Sequence, residues 1–491
     1  MTLDRQTARH AFFSALRRTG AAAGLLAIST CATNPVTGKS EFSLVSESQE
    51  IAMGRESSVQ VAQTMGLYPD SAVQAYVSRL GLGLASRSER PQLPWSYQVV
   101  DDAVVNAFAL PGGFIYVSRG ILGYMNSEAE LVTVLGHETG HVTARHSASQ
   151  ISKAQIAQVG LGVGMILSPE VQKFGGLASA GLGILFLKFS RDDETQADEL
   201  GFRYAYEAGY DVREMVNVFR TLQRVSGGQG RIPEWQSTHP DPGNRIAKTE
   251  ERLATLHQDL TGYKVNRAGF LRMLDGMVFG ENPRNGYFRG QTFYHPDLKF
   301  QLDFPKGWKT QNQTDAVVGV SPAEDAIIEL RLAGKVSPDQ AVRKFLAQDG
   351  VQGGRVSSVA INGLPAVRSS FTARTDQGSL GGVVTFLAYQ GSTYRLLAYT
   401  PKSKVAEYTP AFHQFNGSFR RLTDPAVLGV QPARIKLVTI DRDLTVEQFN
   451  SRYPSSIPAA QVALINGLDE GERFRGGETY KQVVGGMKGQ E

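Results

Sequence analysis

Cysteine and long apolar runs are what this chain has least of. Cys31 is the single cysteine among 491 residues, so no internal disulfide can form and the shape must be held by buried apolar cores. Neither apolar stretch, at 21–28 or within 154–187, contains an uncharged apolar run of the ~18 residues that a membrane-spanning helix needs. Charge is modest as well. The formal net charge is +4, and Arg5, Arg9, Arg17 and Arg18 against Asp4 supply most of it. The remainder is close to neutral, which argues against nucleic acid as a partner. Histidine is scarce, with eight in the chain, so a histidine pair at metal-ligand spacing carries weight.

Such a pair is present. Val134 to His141 contains His137-Glu138-Thr139-Gly140-His141, an HExxH segment. Ser127 with Glu130 forms a capping box ahead of Leu131, Val134 and Leu135, and no proline interrupts, so the segment reads as helix. Residues four apart share a helix face, their Cβ atoms about 5–6 Å apart. His137 and His141 can therefore both reach one zinc ion at roughly 2.0–2.1 Å, with Glu138 beside it as a general base. Gly136 and Gly140 each cost the helix about 1 kcal/mol relative to alanine. That makes sense if another backbone or a substrate must approach closely on their side.

The first thirty residues read as an export signal: a basic region ending at Arg17-Arg18, the apolar Ala21 to Ile28, then small residues. Cys31 stands where a lipid-modified cysteine would, although Thr30 before it departs from the usual small residue, and the paired arginines leave a twin-arginine route open. Asn34-Pro35-Val36-Thr37-Gly38 follows as a turn-rich tether. Helices are expected from Ser46 to about Met65 and from Ser71 to Leu84, then strands at Trp95 to Val100 and Ala107 to Val117. The glycine-rich stretch 154–187 reads equally as a mobile apolar cover or as a close-packed helical hairpin. Helical segments run from Glu194 to about Leu256, and between Asn266 and Arg289 the periodicity fades.

The expected fold is multidomain. A signal peptide (1–30) precedes a mainly α-helical α+β metallopeptidase domain (31–265). An α+β domain without a cluster of catalytic residue types follows (286–422), and then a small strand, helix, helix, strand unit (434–485).

Two histidines leave a catalytic zinc site one protein ligand short. Glu194 and Asp198 share a helix face that continues through the small residues Ala197, Gly201 and Ala205. Such a face can press against Gly136 and Gly140, bringing Glu194 to the metal and Asp198 behind a ligating imidazole. Read alone, the same acidic run would be a solvated helix start.

Taken together, Asn106-Ala107-Phe108-Ala109-Leu110-Pro111-Gly112-Gly113, His137 to His141 with His146 beyond, Glu194 to Asp198 and Ser237-Thr238-His239-Pro240 resemble the successive motifs of the HtpX/BepA/CAAX-prenyl-protease family of gluzincin metallopeptidases. The Cys31 to Gly38 opening resembles that of its secreted bacterial lipoprotein members. The resemblance covers roughly residues 31–260. It implies a gluzincin-type fold, one zinc per chain held by His137, His141 and Glu194, and Glu138 as general base. It also implies that Asn106, Ala107, Phe108 and Ala109 lie where an extended polypeptide substrate pairs. The C-terminal unit resembles a divergent LysM repeat, which implies peptidoglycan as a partner; a small cap without ligand is the other reading.

The expected function is a zinc-dependent metalloendopeptidase of the bacterial envelope, acting on misfolded or misassembled envelope proteins. It would be exported to the periplasm and anchored to the outer membrane by a lipid on Cys31. The rival expectation is a non-catalytic lipid-tethered chaperone or peptidoglycan-binding scaffold, against which an intact Glu138 argues. Arg145, Tyr204, His239 and Arg245 are candidate donors to the reaction intermediate. His239 sits in a stiff, proline-flanked loop and has a second candidate role, as a latch that closes the metal's open position.

Overall fold

The computed structural model describes residues 31–161, 188–227, 239, 242–375, 378–469 and 471–487. The expected signal peptide, most of the glycine-rich stretch and the residues flanking His239 lie outside the described residues. Among the described residues no helix is long and apolar enough to cross a membrane. The chain folds into a domain of helices on a small sheet, a β-rich domain and a compact C-terminal unit.

The tether is a hairpin rather than a run of turns. Cys31–Thr33 pairs antiparallel with Ser40–Phe42, because Asn34 Oδ1 accepts from Val36 N at 2.9 Å and Gly38 N closes onto Asn34 O at 2.9 Å. The helix Glu47–Thr64 follows, started by a capping box of Ser46 and Gln49. It buries Val61 with Val100, Phe108, Leu110, Phe114 and Tyr116 on a three-stranded sheet. In that sheet Phe114–Ser118 is central, parallel to Ser96–Val100 and antiparallel to Ala107–Leu110. Ala107–Leu110 is therefore an edge strand, and it packs against the HExxH helix.

The HExxH helix spans Glu128–Thr143, is capped by Ser127 and is buried along its whole length. It is surrounded by Ser71–Ala85, Arg191–Glu207 and Glu214–Gly227. With no polar face turned to water, its stability rests on packing, as expected for a helix at the centre of a core. Where the periodicity fades there is one more element of this core: the short helix Arg267–Leu274 buries Phe270, Leu271 and Leu274. Two turns are too few to show a period. Its start is set by Asn266 in the left-handed region (φ 47°), whose side chain accepts from Gly269 N.

The β-rich domain is built on an eight-stranded antiparallel sheet. Its centre is the meander Leu364–Thr375, Gly378–Tyr389 and Ser392–Pro401, continued by Ile327–Gly334. The helix Val405–Ser418 packs into one apolar core and Pro338–Leu346 into another. A four-stranded sheet contributes Phe293, Phe300 and Leu302 to the first of these cores.

The C-terminal unit has the order strand (Ala433–Thr439), helix (Val446–Arg452), helix (Ala459–Ile465), strand (Thr479–Gly485), and its two strands pair antiparallel. It does not stand apart. Ile435, Ile465 and Val483 belong to the same apolar core as the HExxH helix. Lys481 is fully buried, and its Nζ donates to the carbonyls of Gly123 (3.0 Å) and Met125 (2.6 Å), just ahead of that helix. Burial drives its amine well below the usual lysine range, against the pull of buried Glu130. Leaving those buried carbonyls without a donor is costly. Lys481→Met should lower the unfolding free energy by roughly 1–3 kcal/mol. Urea unfolding of the full chain reads this, and a loss well under ~1 kcal/mol would show the Lys481 amine to be dispensable.

Candidate metal centre

One turn of the HExxH helix sets His137 and His141 with their Nε2 atoms 3.0 Å apart. The neighbouring helix Arg191–Glu207 brings in Glu194, 3.7 Å from His137 Nε2 and 3.4 Å from His141 Nε2. His239 adds Nδ1, 3.4 Å from His137 Nε2 and 2.9 Å from Glu194 Oε1. All four side chains are buried, and their ligand atoms lie within 4.8 Å of one another. Ligands 2.0–2.1 Å from a tetrahedral zinc ion stand about 3.3 Å apart, close to the spacings found here. Lone pairs converging among buried side chains are unfavourable unless a cation meets them. The residues present therefore fit zinc.

A second layer fixes these groups. Asp198 Oδ1 stands 2.8 Å from His137 Nδ1, and Arg245 grips Asp198 with Nε at 2.8 Å and Nη2 at 2.6 Å. The Nη1 of Arg245 is 3.1 Å from Glu194 Oε2, and its guanidinium lies over the Phe219 ring. His146 Nδ1 is 2.9 Å from His141 Nδ1, and His146 Nε2 is 2.9 Å from Gln196 Oε1. The Phe189 ring stacks on His141 at 4.0 Å. Sequence reasoning missed Gln196 and Phe189. Gln196 was open to discovery, being on the ligand helix beside Glu194, but Phe189 gave no signal.

The electrostatics suit metal ligation. Burial, helped by Arg245, drives His137 down to about 3, and burial takes His146 down to about 4. Burial alone would raise the Glu194 carboxyl, yet its contacts with the His239 ring and the Arg245 guanidinium hold it well below the usual range. Asp198 is likewise lowered against its burial by Arg245. Neutral imidazoles with ionised carboxylates are the states that bind a metal. Glu138 differs: burial pushes its carboxyl up to about 7. Neither of its oxygens accepts a hydrogen bond among the described residues, and His239 Nε2 is 3.8 Å away.

The edge strand places Ala107, Phe108 and Ala109 beside this helix, but the Phe108 side chain belongs to the core under Glu47–Thr64, stacked on Tyr116. Asn106 is buried, and its Oδ1 makes no hydrogen bond among the described residues. Two expected donors are committed elsewhere: Tyr204 bonds Glu89, and Arg145 bonds Glu50 and the Val45 carbonyl.

An HExxH helix with a glutamate supplied from a second helix defines the class, a zinc metallopeptidase centre. Residues 71–253 match the model of Peptidase family M48, so the domain that holds the site is similar to the metallopeptidases of that family. Among curated relatives, the chain is 32% identical over 229 residues to the mitochondrial metalloendopeptidase OMA1 of Schizosaccharomyces pombe, covering 45% of this chain and 65% of that protein. It is 31% identical to the beta-barrel assembly-enhancing protease of Yersinia pestis, covering 44% of this chain and 46% of that protein. With the protease of the same name from Escherichia coli K12 the figures are 29% identity, 67% of this chain and 75% of that protein. The chain thus spans less than two thirds of the first two.

If Asp198 orients His137, Asp198→Asn should weaken zinc binding by roughly 10- to 100-fold. Glu194→Gln should weaken it further, because it changes a ligand itself. Competition with a chromogenic chelator measures both, and an unaltered affinity in Glu194→Gln would move the third ligand elsewhere.

Proposed function

We propose that this chain is a zinc-dependent endopeptidase that cuts exposed, extended segments of misfolded or misassembled proteins in the bacterial envelope. The observation that carries the reading is Glu138. It is fully buried beside the ligand set, and neither oxygen is engaged by a hydrogen-bond donor among the described residues. A scaffold that merely retained zinc would have no use for such a carboxylate, whereas a general base needs its oxygens free for water and the leaving group.

His137, His141 and Glu194 would hold the metal. When bound, zinc supplies Lewis-acid polarisation of the peptide carbonyl and lowers the pKa of water. Glu138 takes a proton from the attacking water and delivers it to the departing amine nitrogen. Asp198, gripped by Arg245, keeps His137 in the tautomer that points Nε2 inward, and His146 does the same for His141. The strand Ala107–Leu110, at the edge of its sheet among the described residues, would receive an extended peptide whose backbone adds as a further strand, with Asn106 Oδ1 as one more acceptor. The relatives named for β-barrel assembly, the signal-like residues 1–30 and Cys31 support export and a lipid anchor. Cys31→Ser should then move the chain from the membrane pellet to the supernatant, and an unchanged pellet would dismiss the anchor.

His239 closes the site in this reading. Its Nδ1 stands among the ligand atoms, which gives the four protein donors of a closed zinc site rather than the three of an open one. A substrate that binds the open state would release the latch. Glu138→Gln should leave zinc bound and the fold intact while cleavage of an unfolded protein falls by at least ~100-fold, the lower end of the range for loss of a general base. Normal turnover would remove Glu138 from the reaction. His239→Ala should raise basal cleavage several-fold, about the size of a typical coupling free energy. A fall would make His239 a donor to the reaction instead.

A further inference from the structure

The chain ahead of the HExxH helix crosses over that helix's far end. Glu50, on Glu47–Thr64, is 1% exposed, and its carboxylate takes three guanidinium contacts. Arg90 donates to Oε1 at 2.9 Å and to Oε2 at 3.0 Å, and Arg145 Nε donates to Oε2 at 3.1 Å. Arg90 also donates to the Val142 carbonyl in the last turn of the HExxH helix, at 2.8 Å. Arg145 Nη2 donates to the Val45 carbonyl at 2.7 Å, and Leu44 N donates to Ser152 Oγ at 2.9 Å. Residues 44–50 therefore form a strap tied at three points to the end of that helix and the start of the next.

Between those two helices Arg145 adopts a left-handed backbone, φ 62°. For a residue other than glycine this conformation costs about 1–2 kcal/mol and persists only where the surroundings impose it. Here the imposing contacts are Glu50 and Val45. The turn has one consequence at the site: it sends His146 back so that its Nδ1 lies 2.9 Å from His141 Nδ1. With Gln196 Oε1 accepting from His146 Nε2–H, His146 Nδ1 is left to accept from His141 Nδ1–H, which leaves the His141 Nε2 lone pair for the metal. A buried carboxylate between two arginines is a poor way to gain stability and a good way to fix a geometry.

We infer that Glu50 is a positioning residue for the metal centre, acting through the Arg145 turn on His146 and, through His146, on His141. The inference rests on the reading of the cluster as a zinc site. It gives the N-terminal segment a part in metal retention that the HExxH motif does not contain.

The test is the rate at which zinc leaves the full-length chain for a chromogenic chelator, with the visible spectrum of the Co2+-substituted protein as a second readout of ligand geometry. Glu50→Gln and Arg145→Asn should each speed zinc release about tenfold and shift the cobalt spectrum, and His146→Asn should do so at least as much. Asparagine tolerates the left-handed turn, and Arg145→Asn leaves the Glu50–Arg90 pair in place, so it answers the question even where Glu50→Gln does not fold. In the His146→Asn background, Arg145→Asn should add nothing. Additive effects in that double variant, or unchanged release in Arg145→Asn alone, would overturn the positioning role and leave the zinc site standing. A wild-type chain that neither holds nor takes up zinc would overturn the metal reading, and this inference with it.

Discussion

Two helices that touch backbone to backbone are the constraint on which the metal centre depends. Helix axes usually pass 8–10 Å apart, held off by the side chains between them. Here the separating side chains are missing. A Cβ on Gly136 would lie 2.9 Å from the Gly201 carbonyl oxygen, and one on Gly201 would lie 2.6 Å from the His137 amide nitrogen. Ala197 and Gly140 meet in the same way one turn along. The short separation lets a glutamate on one helix and an imidazole on the other meet around a single point. It also lets Asp198 reach the rear of His137 with room left for Arg245. A methyl group at this contact would push apart the atoms that must converge.

The same helix is held electrically at both ends. Glu128, whose carboxyl its hydrogen-bond donors hold below the usual range against its burial, occupies its first turn, where the unpaired amides favour negative charge, and Arg90 meets the carbonyl of Val142 in its last turn, where positive charge is favoured. Glu128 is satisfied by the hydroxyls of Tyr76 and Tyr210 and by Asn266 Nδ2 at 2.9 Å. These partners come from three separate stretches of chain, the helix Ser71–Ala85, the connection before Glu214–Gly227 and the cap of Arg267–Leu274, which meet at the start of the HExxH helix. Rigidity of this kind suits a set of ligands that must be in place before the metal binds.

Local chemistry was legible in the sequence, and distant pairing was not. The helix Glu128–Thr143 announces itself by its cap, and the i, i+4 histidines by their spacing. Small residues at 197, 201 and 205 gave away a close-packing face. The hairpin at Cys31–Phe42 was hidden because three-residue strands show no alternation, and the helix Arg267–Leu274 because it is two turns long. Glu50 could not be picked out. Its partners Arg90 and Arg145 are 40 and 95 residues away, and an acidic residue in a first helical turn looks like a favourable but ordinary surface charge. Lys481 reads as one polar position in a strand, and the carbonyls that it caps are more than 350 residues earlier in the chain. Arg145 and Tyr204 were read towards the site because of their chemical type, whereas packing had already assigned each of them a carboxylate elsewhere.

The strap over one end of the HExxH helix and the strand under the other are made at very different times. A ribosome delivers residues 44–50 and the helix itself long before Lys481, and domains fold from the N-terminus as they appear. Until the strand Thr479–Gly485 arrives, the carbonyls of Gly123 and Met125 lack the donor that Lys481 brings. Contacts this far apart in sequence also close slowly. The order of synthesis thus separates the two supports: the chain carries the HExxH motif for most of its length, and the strand that holds the start of that helix is the last element to be made among the described residues.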